Sequence, residues 1–144
     1  MKETEKLKGV LVTGVIGDDV HVVGIRILEH ALRNAGFKIV PLGVQVSQED
    51  FVNAAIETNA DAILISSISG HAQLLVPGLR EKCTEAGLAD ILIYLGGHLV
   101  IHRTAMEEIE KKYKDMGINR VYPPEVMPPQ IIKDLEADIT SRGR

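Results

Sequence analysis

Five short apolar runs, rich in β-branched residues, recur along this chain and constrain its fold more than any other feature. The runs cover residues 10–16, 37–42, 62–66, 91–95 and 120–122. Near-continuous apolar character, rather than alternation, is typical of parallel strands that are buried on both faces. The sequence therefore predicts a parallel sheet.

Segments with helical spacing lie between these runs, and each is bounded by capping residues, glycine or proline. Their predicted apolar faces are Val23, Ile27, Ala31 and Ala35 in the first; Phe51, Val52, Ala55 and Ile56 in the second; and Ile131, Ile132, Leu135 and Ile139 in the last. The second begins at a cap over residues 47–50, the third is predicted over 75–86, and the fourth runs from a Thr104–Glu107 cap to Gly117.

This alternation predicts an α/β fold, a flavodoxin-like, Rossmann-like doubly wound sheet of five parallel strands in the order 2-1-3-4-5. We expect a single domain over residues 1–144, with an ordered core over about 8–140. Ligands of such sheets bind outside the carboxyl ends of the strands, between the first and third. The loops at that edge are residues 17–23, 67–71, 96–102 and 123–127.

Charge and cysteine content indicate which binding partners and which cellular compartment to expect. The formal net charge is −4, and no stretch concentrates basic residues beside aromatic ones, so neither nucleic acid nor an anionic membrane is an expected partner. Cys83 is the single cysteine, which excludes an internal disulfide and a cysteine-based zinc site. We expect a cytoplasmic protein in which Cys83 is a packing residue.

Two ligands that this fold commonly binds, flavin nucleotides and dinucleotides, fit the sequence poorly. Asp18 and Asp19 follow the first strand and would repel the phosphate of a flavin nucleotide. A dinucleotide site needs GxGxxG at the first turn, and residues 14–17 have the wrong spacing.

A phosphorylated receiver domain stays open as an alternative, because it also carries an acidic pair after the first strand. It requires a phosphoacceptor aspartate at the end of the third strand, where this chain has Ser66 and Ser67. Asp61 precedes that strand and is expected at the opposite edge of the sheet.

The pattern Asp19-x-His21-x-x-Gly24 suits a metal that another group already holds. A carboxylate bonded to one imidazole nitrogen raises the basicity of the other, and residues two apart in an extended loop project to the same side. Gly24 would let a large planar group approach the backbone. Small residues at the ends of the third and fourth strands predict a slot beside this loop: Ser66, Ser67, Gly70, Gly96 and Gly97.

These three motifs together, residues 19–24, 66–68 and 96–97, resemble the signature of cobalamin-binding domains that hold the cofactor base-off. More closely, the chain resembles the small subunits of glutamate mutase, with matching stretches nearly end to end. The resemblance implies that His21 is the lower axial ligand of cobalt and that Asp19 is hydrogen-bonded behind it. It implies that the displaced nucleotide tail lies in the slot, with Tyr122 near the far end. The implied contacts with adenosylcobalamin are Asp18, Asp19, Val20, His21, Val22, Gly24, Ser66, Ser67, Ile68, Gly70, Gly96, Gly97, His98, Leu99, Val100, Ile101, His102 and Tyr122.

The resemblance also implies a partner and a reaction. A separate large barrel-type catalytic subunit, in a heterotetramer of two small and two large subunits, would bind L-glutamate and rearrange it to threo-3-methylaspartate by a radical mechanism. This chain would be inactive alone. The chain departs from the family pattern at Ile68, over residues 69–73, at His98 and at Glu125. A corrinoid carrier or cobalamin sensor without mutase activity is the alternative.

Overall fold

The computed structural model describes residues 8–16, 23–67, 76–96, 106–122 and 127–141. Within these residues, five parallel strands form one sheet in the order β2-β1-β3-β4-β5, which confirms the predicted fold class and strand order. The strands are β1 (Val10–Val15), β2 (Lys38–Pro41), β3 (Ala62–Ser66), β4 (Leu92–Gly96) and β5 (Arg120–Tyr122). β3 and β5 have the predicted bounds, and the other strands differ from the predicted runs by one residue at one or both ends.

The helices in the described ranges are α1 (Val23–Asn34), α2 (Gln48–Thr58), α3 (Leu79–Glu85), α4 (Met106–Asp115) and α5 (Pro128–Ser141). The predicted cap of α2 is confirmed: the Asp50 amide donates to Ser47 Oγ at 3.1 Å, and the Ser47 amide donates to Asp50 at 3.2 Å. The third helix begins later than predicted, because Gly78 precedes it with a φ of +92°. Thr104, the predicted cap of α4, lies outside the described residues.

The predicted apolar face of α1 is wrong. Ile27 is 59% exposed, whereas Ile25, Glu29 and Leu32 face the sheet and are buried. A strict four-residue spacing drifts by about 40° per step around a helix, so Ile27, Ala31 and Ala35 do not follow one buried line. Ile56 of α2 is also exposed, although Phe51, Val52 and Ala55 are buried as predicted.

Two apolar clusters cover the two faces of the sheet. One contains β-strand residues such as Val12 and Ile63 with residues of α2, α3 and α4, and it includes the buried Cys83. Burial raises the pKa of the Cys83 thiol, which agrees with a packing role. The other cluster joins β-strand residues to Leu32 of α1 and to the predicted apolar stripe of α5, where Ile131, Leu135 and Ile139 are buried.

None of the helices in the described ranges is long and apolar enough to cross a membrane.

A polar pair is buried between β1 and α1. The Thr13 hydroxyl donates a hydrogen bond to Glu29 Oε2, and both residues are less than one-tenth exposed. A buried carboxylate is costly to leave short of a donor. Thr13 therefore supports the packing of α1 on the strand that precedes residues 17–22.

We expect Thr13→Val to lower the free energy of unfolding by about 1–3 kcal/mol, because valine has the shape of threonine but cannot donate to Glu29. Urea denaturation of purified protein measures this change. Replacing both partners, in Thr13→Val with Glu29→Leu, should recover much of the loss, since no buried carboxylate then lacks a donor.

Thr140→Val is the matched control, because the Thr140 hydroxyl donates to the Glu136 carbonyl at an exposed site on α5. Equal losses of stability in the Thr13 and Thr140 variants would contradict a special role for the buried pair.

All three tyrosines of the chain are buried, and burial raises the pKa of each hydroxyl above its ordinary value of about 10. The folded state therefore keeps these protons above pH 10 while the unfolded chain releases them. Stability should be fully present below about pH 10 and fall above it, by at most about 1.4 kcal/mol per tyrosine per pH unit.

Urea midpoints measured between pH 8 and 11 check this expectation, and tyrosinate absorbance reports ionisation cleanly because the chain has no tryptophan. Tyr113→Phe should make the decline shallower. An unchanged slope in that variant would show that Tyr113 does not contribute to the alkaline loss.

Candidate functional site

Four residues form one row across the carboxyl edge of the sheet. The parallel register pairs Val15 with Ser66, Ser66 with Gly96, and Gly96 with Tyr122. Side chains alternate along strands, and Ala62, Leu64, Leu92 and Tyr94 all belong to the cluster under α1 and α5. Ser66 and Gly96 therefore lie on that same face of the sheet.

The row has an opening at its centre. Ser66 and Gly96 are partly exposed, although Ile65 and Leu95 immediately before them are buried. Among the described residues, the nearest neighbours of a Cβ atom built on Gly96 would be Tyr122 Cβ at 3.7 Å and the Tyr122 carbonyl oxygen at 3.9 Å, both at ordinary contact distance. We call this opening beside Ser66 and Gly96 the slot. It lies at the edge where doubly wound sheets bind ligands.

Ser67 adds a polar group at the same edge. Its amide donates to the Gly96 carbonyl at 3.0 Å, and its side chain is fully buried. The hydroxyl Oγ has no hydrogen-bond partner among the residues that the structure describes. Since buried hydroxyls are nearly always paired, this one points to a missing polar partner such as a ligand or water.

Tyr122 lies at the β5 end of the row and is hydrogen-bonded to α5. Its hydroxyl donates to Asp134 Oδ2 at 2.6 Å, and its ring lies 5.6 Å from the Tyr94 ring. Burial raises the pKa of Tyr122, and the Asp134 carboxylate raises it further. Tyr122 is therefore a neutral donor at physiological pH.

A second polar cluster lies beside it. Arg120 makes a bidentate pair with Asp138, through Nε at 2.6 Å and Nη2 at 2.9 Å, and Tyr94 donates to the same carboxylate. The Arg120 guanidinium holds the pKa of Asp138 below its usual range. These contacts fix α5 against β4 and β5.

The structure describes five of the predicted site residues. Ser66, Ser67, Gly96 and Tyr122 come together at the carboxyl edge, and Gly24 lies in the first turn of α1. The remaining ones lie outside the described residues: Asp18, Asp19, Val20, His21, Val22, Ile68, Gly70, Gly97, His98, Leu99, Val100, Ile101 and His102. Within the described ranges, no group of three or more histidine, cysteine or acidic side chains could hold a metal ion.

Sequence reasoning missed Glu29, Asp134 and Asp138. The signal available for the aspartates was their four-residue spacing on a helix whose apolar stripe includes Leu135, opposite a strand that carries Arg120. Glu29 had no such signal, because the predicted apolar face of α1 was wrong.

Asp61 lies at the amino edge, as predicted. Its side chain accepts a hydrogen bond from the Val10 amide at 2.9 Å, at the start of β1. β3 ends at Ser66 and is followed by Ser67, so no aspartate occupies the phosphoacceptor position of a receiver domain.

Solved structures with this fold serve different functions. The chain matches the monomethylamine corrinoid protein of Methanosarcina barkeri with a TM-score of 0.72 and 25% identity, over 90% of this chain and 58% of that one. It also matches the signal receiver domain of a response regulator from Mycobacterium tuberculosis with a TM-score of 0.65 and 15% identity, over 95% of this chain and 100% of that one. This chain therefore spans little more than half of the corrinoid protein, and the receiver likeness shows the fold alone.

Sequence relatives separate these possibilities. The glutamate mutase sigma subunit of Carboxydothermus hydrogenoformans is 55% identical over 129 residues, which cover 90% of this chain and 94% of that protein. The glutamate mutase sigma subunit of Clostridium tetani is 51% identical over 132 residues, which cover 92% of this chain and 96% of that protein. The family model of the B12 binding domain matches residues 9–118. The chain therefore belongs to the B12 binding domain family and, within it, to the glutamate mutase sigma subunits.

Proposed function

We propose that this chain is the cobalamin-binding subunit of a glutamate mutase that interconverts L-glutamate and threo-3-methylaspartate. The observation that carries the proposal is the slot: two small residues, Ser66 and Gly96, leave an opening in the centre of the carboxyl edge. The relatives named as glutamate mutase sigma subunits support the assignment to a glutamate mutase.

The described residues fit the nucleotide tail of a base-off cobalamin. The partly exposed opening beside Gly96 would take part of the tail. The buried Ser67 hydroxyl at the same edge lacks a hydrogen-bond partner among the described residues and would offer one to the ligand. Tyr122 supplies an aromatic wall at the end of the row. These residues would bind and orient the tail and exclude water from it.

His21 would supply the imidazole ligand of cobalt, and the Asp19 carboxylate would accept a hydrogen bond from its second ring nitrogen. A carboxylate in that position fixes the tautomer and orientation of the imidazole. When bound, adenosylcobalamin supplies a carbon radical through homolysis of its cobalt–carbon bond. The further contacts proposed with the cofactor are Asp18, Val20, Val22, Gly24, Ile68, Gly70, Gly97, His98, Leu99, Val100, Ile101 and His102.

The subunit has a catalytic partner in this proposal. A separate large subunit of the barrel type would bind the substrate, in a heterotetramer of two small and two large chains, and the small chain alone would be inactive. Residues 1–144 would form one cytoplasmic domain. Assay of methylaspartate formation after co-purification of the large subunit separates a mutase from a corrinoid carrier.

Electron paramagnetic resonance tests the cobalt ligand directly. We expect the purified protein, mixed with adenosylcobalamin and reduced to the paramagnetic cobalt state, to show hyperfine splitting from one histidine nitrogen. Labelling the protein with nitrogen-15 should change this splitting, because imidazole is the nitrogen donor. His21→Ala should lose the labelled splitting, since any nitrogen ligand that remains then comes from the unlabelled benzimidazole base of the cofactor.

His30→Ala is the matched control and should retain the splitting. His30 lies on the exposed side of α1, with Nε2 3.2 Å from the Asn34 side-chain nitrogen. Absence of nitrogen splitting in the wild type would overturn the ligand assignment.

Gly96→Val tests the slot. Valine suits a strand and its Cβ meets only ordinary contacts, so we expect the free energy of unfolding to stay within about 1 kcal/mol of the wild type. The added methyl groups would fill the slot and weaken cobalamin binding by about 10–100-fold, as crowding of a packed site does. Absorbance titration with adenosylcobalamin measures the dissociation constant.

Gly14→Ala is the matched control, and we expect it to lower stability without weakening cobalamin binding. A Cβ on Gly14 would lie 3.0 Å from Val46 Cγ2 and 3.1 Å from Phe51 Cε1, in the core on the other face of the sheet. Stability should fall by about 1–3 kcal/mol while the folded protein keeps its affinity. Equal affinity in Gly96→Val and wild type would show that the tail lies elsewhere.

A further inference from the structure

The position of the Tyr122 ring decides whether the slot is open. Tyr122 is the neighbour of Gly96 in the register, and its Cβ is the atom nearest to the space that a side chain at residue 96 would fill. Gly96 has no side chain to exclude the ring from that space. Contacts of the Tyr122 side chain itself must therefore keep its ring out of that space.

Asp134 supplies that restraint. Its Oδ2 accepts the hydrogen bond from the Tyr122 hydroxyl at 2.6 Å, and its side chain is only 14% exposed. The carboxylate is itself fixed, because Gln130 Nε2 donates to Oδ1 at 3.0 Å and Arg120 Nη1 lies 3.7 Å from the same oxygen. A short hydrogen bond to a charged, immobilised acceptor is among the stronger neutral-donor contacts in proteins.

A second tyrosine–aspartate hydrogen bond, between Tyr94 and Asp138, lies nearby but does not border the slot. Tyr94 donates to Asp138, which lies one helical turn beyond Asp134 on α5. Tyr94 stands two residues before Gly96 on β4 and pairs with Leu64 and Arg120 rather than with a residue of the slot. The chain thus contains its own control.

We propose that Asp134 is a positioning residue for cobalamin binding, whose carboxylate holds the Tyr122 ring beside the slot rather than over Gly96. This inference rests on the proposed function. Without the anchor, the contacts that restrain the ring among the described residues are its packing against Tyr94 and the neighbouring apolar side chains. The apparent dissociation constant then rises in inverse proportion to the fraction of molecules with an open slot.

Three variants of the full chain test this proposal: Asp134→Ala, Asp134→Asn and Asp138→Ala. Asparagine keeps an oxygen that can accept from Tyr122, whereas alanine does not. Asp138→Ala removes the bidentate partner of Arg120, so it should lower the free energy of unfolding at least as much as Asp134→Ala. Each variant is measured by adenosylcobalamin titration and by urea denaturation.

A third measurement reports the ring itself. The chain has three tyrosines, so their ring signals in nuclear magnetic resonance spectra can be assigned by Tyr→Phe substitution. We expect the Tyr122 ring signals of the cofactor-free protein to shift in Asp134→Ala and to stay near the wild-type position in Asp134→Asn.

For affinity, we expect Asp134→Ala to bind adenosylcobalamin about tenfold more weakly than wild type, with Asp134→Asn recovering most of the loss. Asp138→Ala should bind within about twofold of wild type despite its lower stability. Equal losses in the two alanine variants, in step with their stabilities, would overturn the proposal in favour of simple helix docking. Unmoved Tyr122 ring signals in Asp134→Ala would also overturn it.

Titration with adenosylcobalamin distinguishes failure of the proposed function from failure of the role of Asp134. Failure of the wild type to bind adenosylcobalamin would overturn the proposed function, and the binding role of Asp134 with it. Tight wild-type binding that Asp134→Ala does not weaken would leave the proposed function standing and overturn this inference alone.

Discussion

The parallel register of the sheet is the constraint on which the site depends. Parallel strands joined by crossover helices bring all their carboxyl ends to one edge. Residues far apart in the chain, from β1 to β5, thereby reach one row containing Ser66, Gly96 and Tyr122. A slip of one residue would move Ser66 to the other face of the sheet, so the apolar runs that set the register also place the slot.

The fold separates stabilising contacts from ligand contacts between its two edges. At the amino edge, the Arg80 guanidinium donates to the carbonyls of Ala89 and Gly117 and to the Asn119 side chain, which ties α3 to the loops before β4 and β5. Asp61 and Val10 join at the same edge. At the carboxyl edge, Ser66 and Gly96 stay partly exposed, and the buried Ser67 hydroxyl lacks a hydrogen-bond partner among the described residues. That hydroxyl is available where a ligand is proposed.

The sequence predicts the strands well because each is a short, nearly continuous apolar run whose burial leaves few alternatives. It predicts the apolar stripe of α5 for the same reason, but it misassigns α1. There the buried face contains Glu29, a charged residue that a search for apolar spacing passes over, and Ile27 is apolar but exposed. Pairing of Glu29 with Thr13 is a tertiary contact, which no local pattern encodes.

The same limit applies to the slot. Small residues at strand ends are enough to predict an opening, because the absence of side chains is visible in the sequence. The position of a large neighbour is not visible, since it depends on what that side chain contacts. Tyr122 is a clear example: its place beside Gly96 follows from the register, whereas its direction follows from Asp134 on α5, twelve residues later in the chain. The width of the slot is therefore set by a helix that the strand pattern alone does not connect to it.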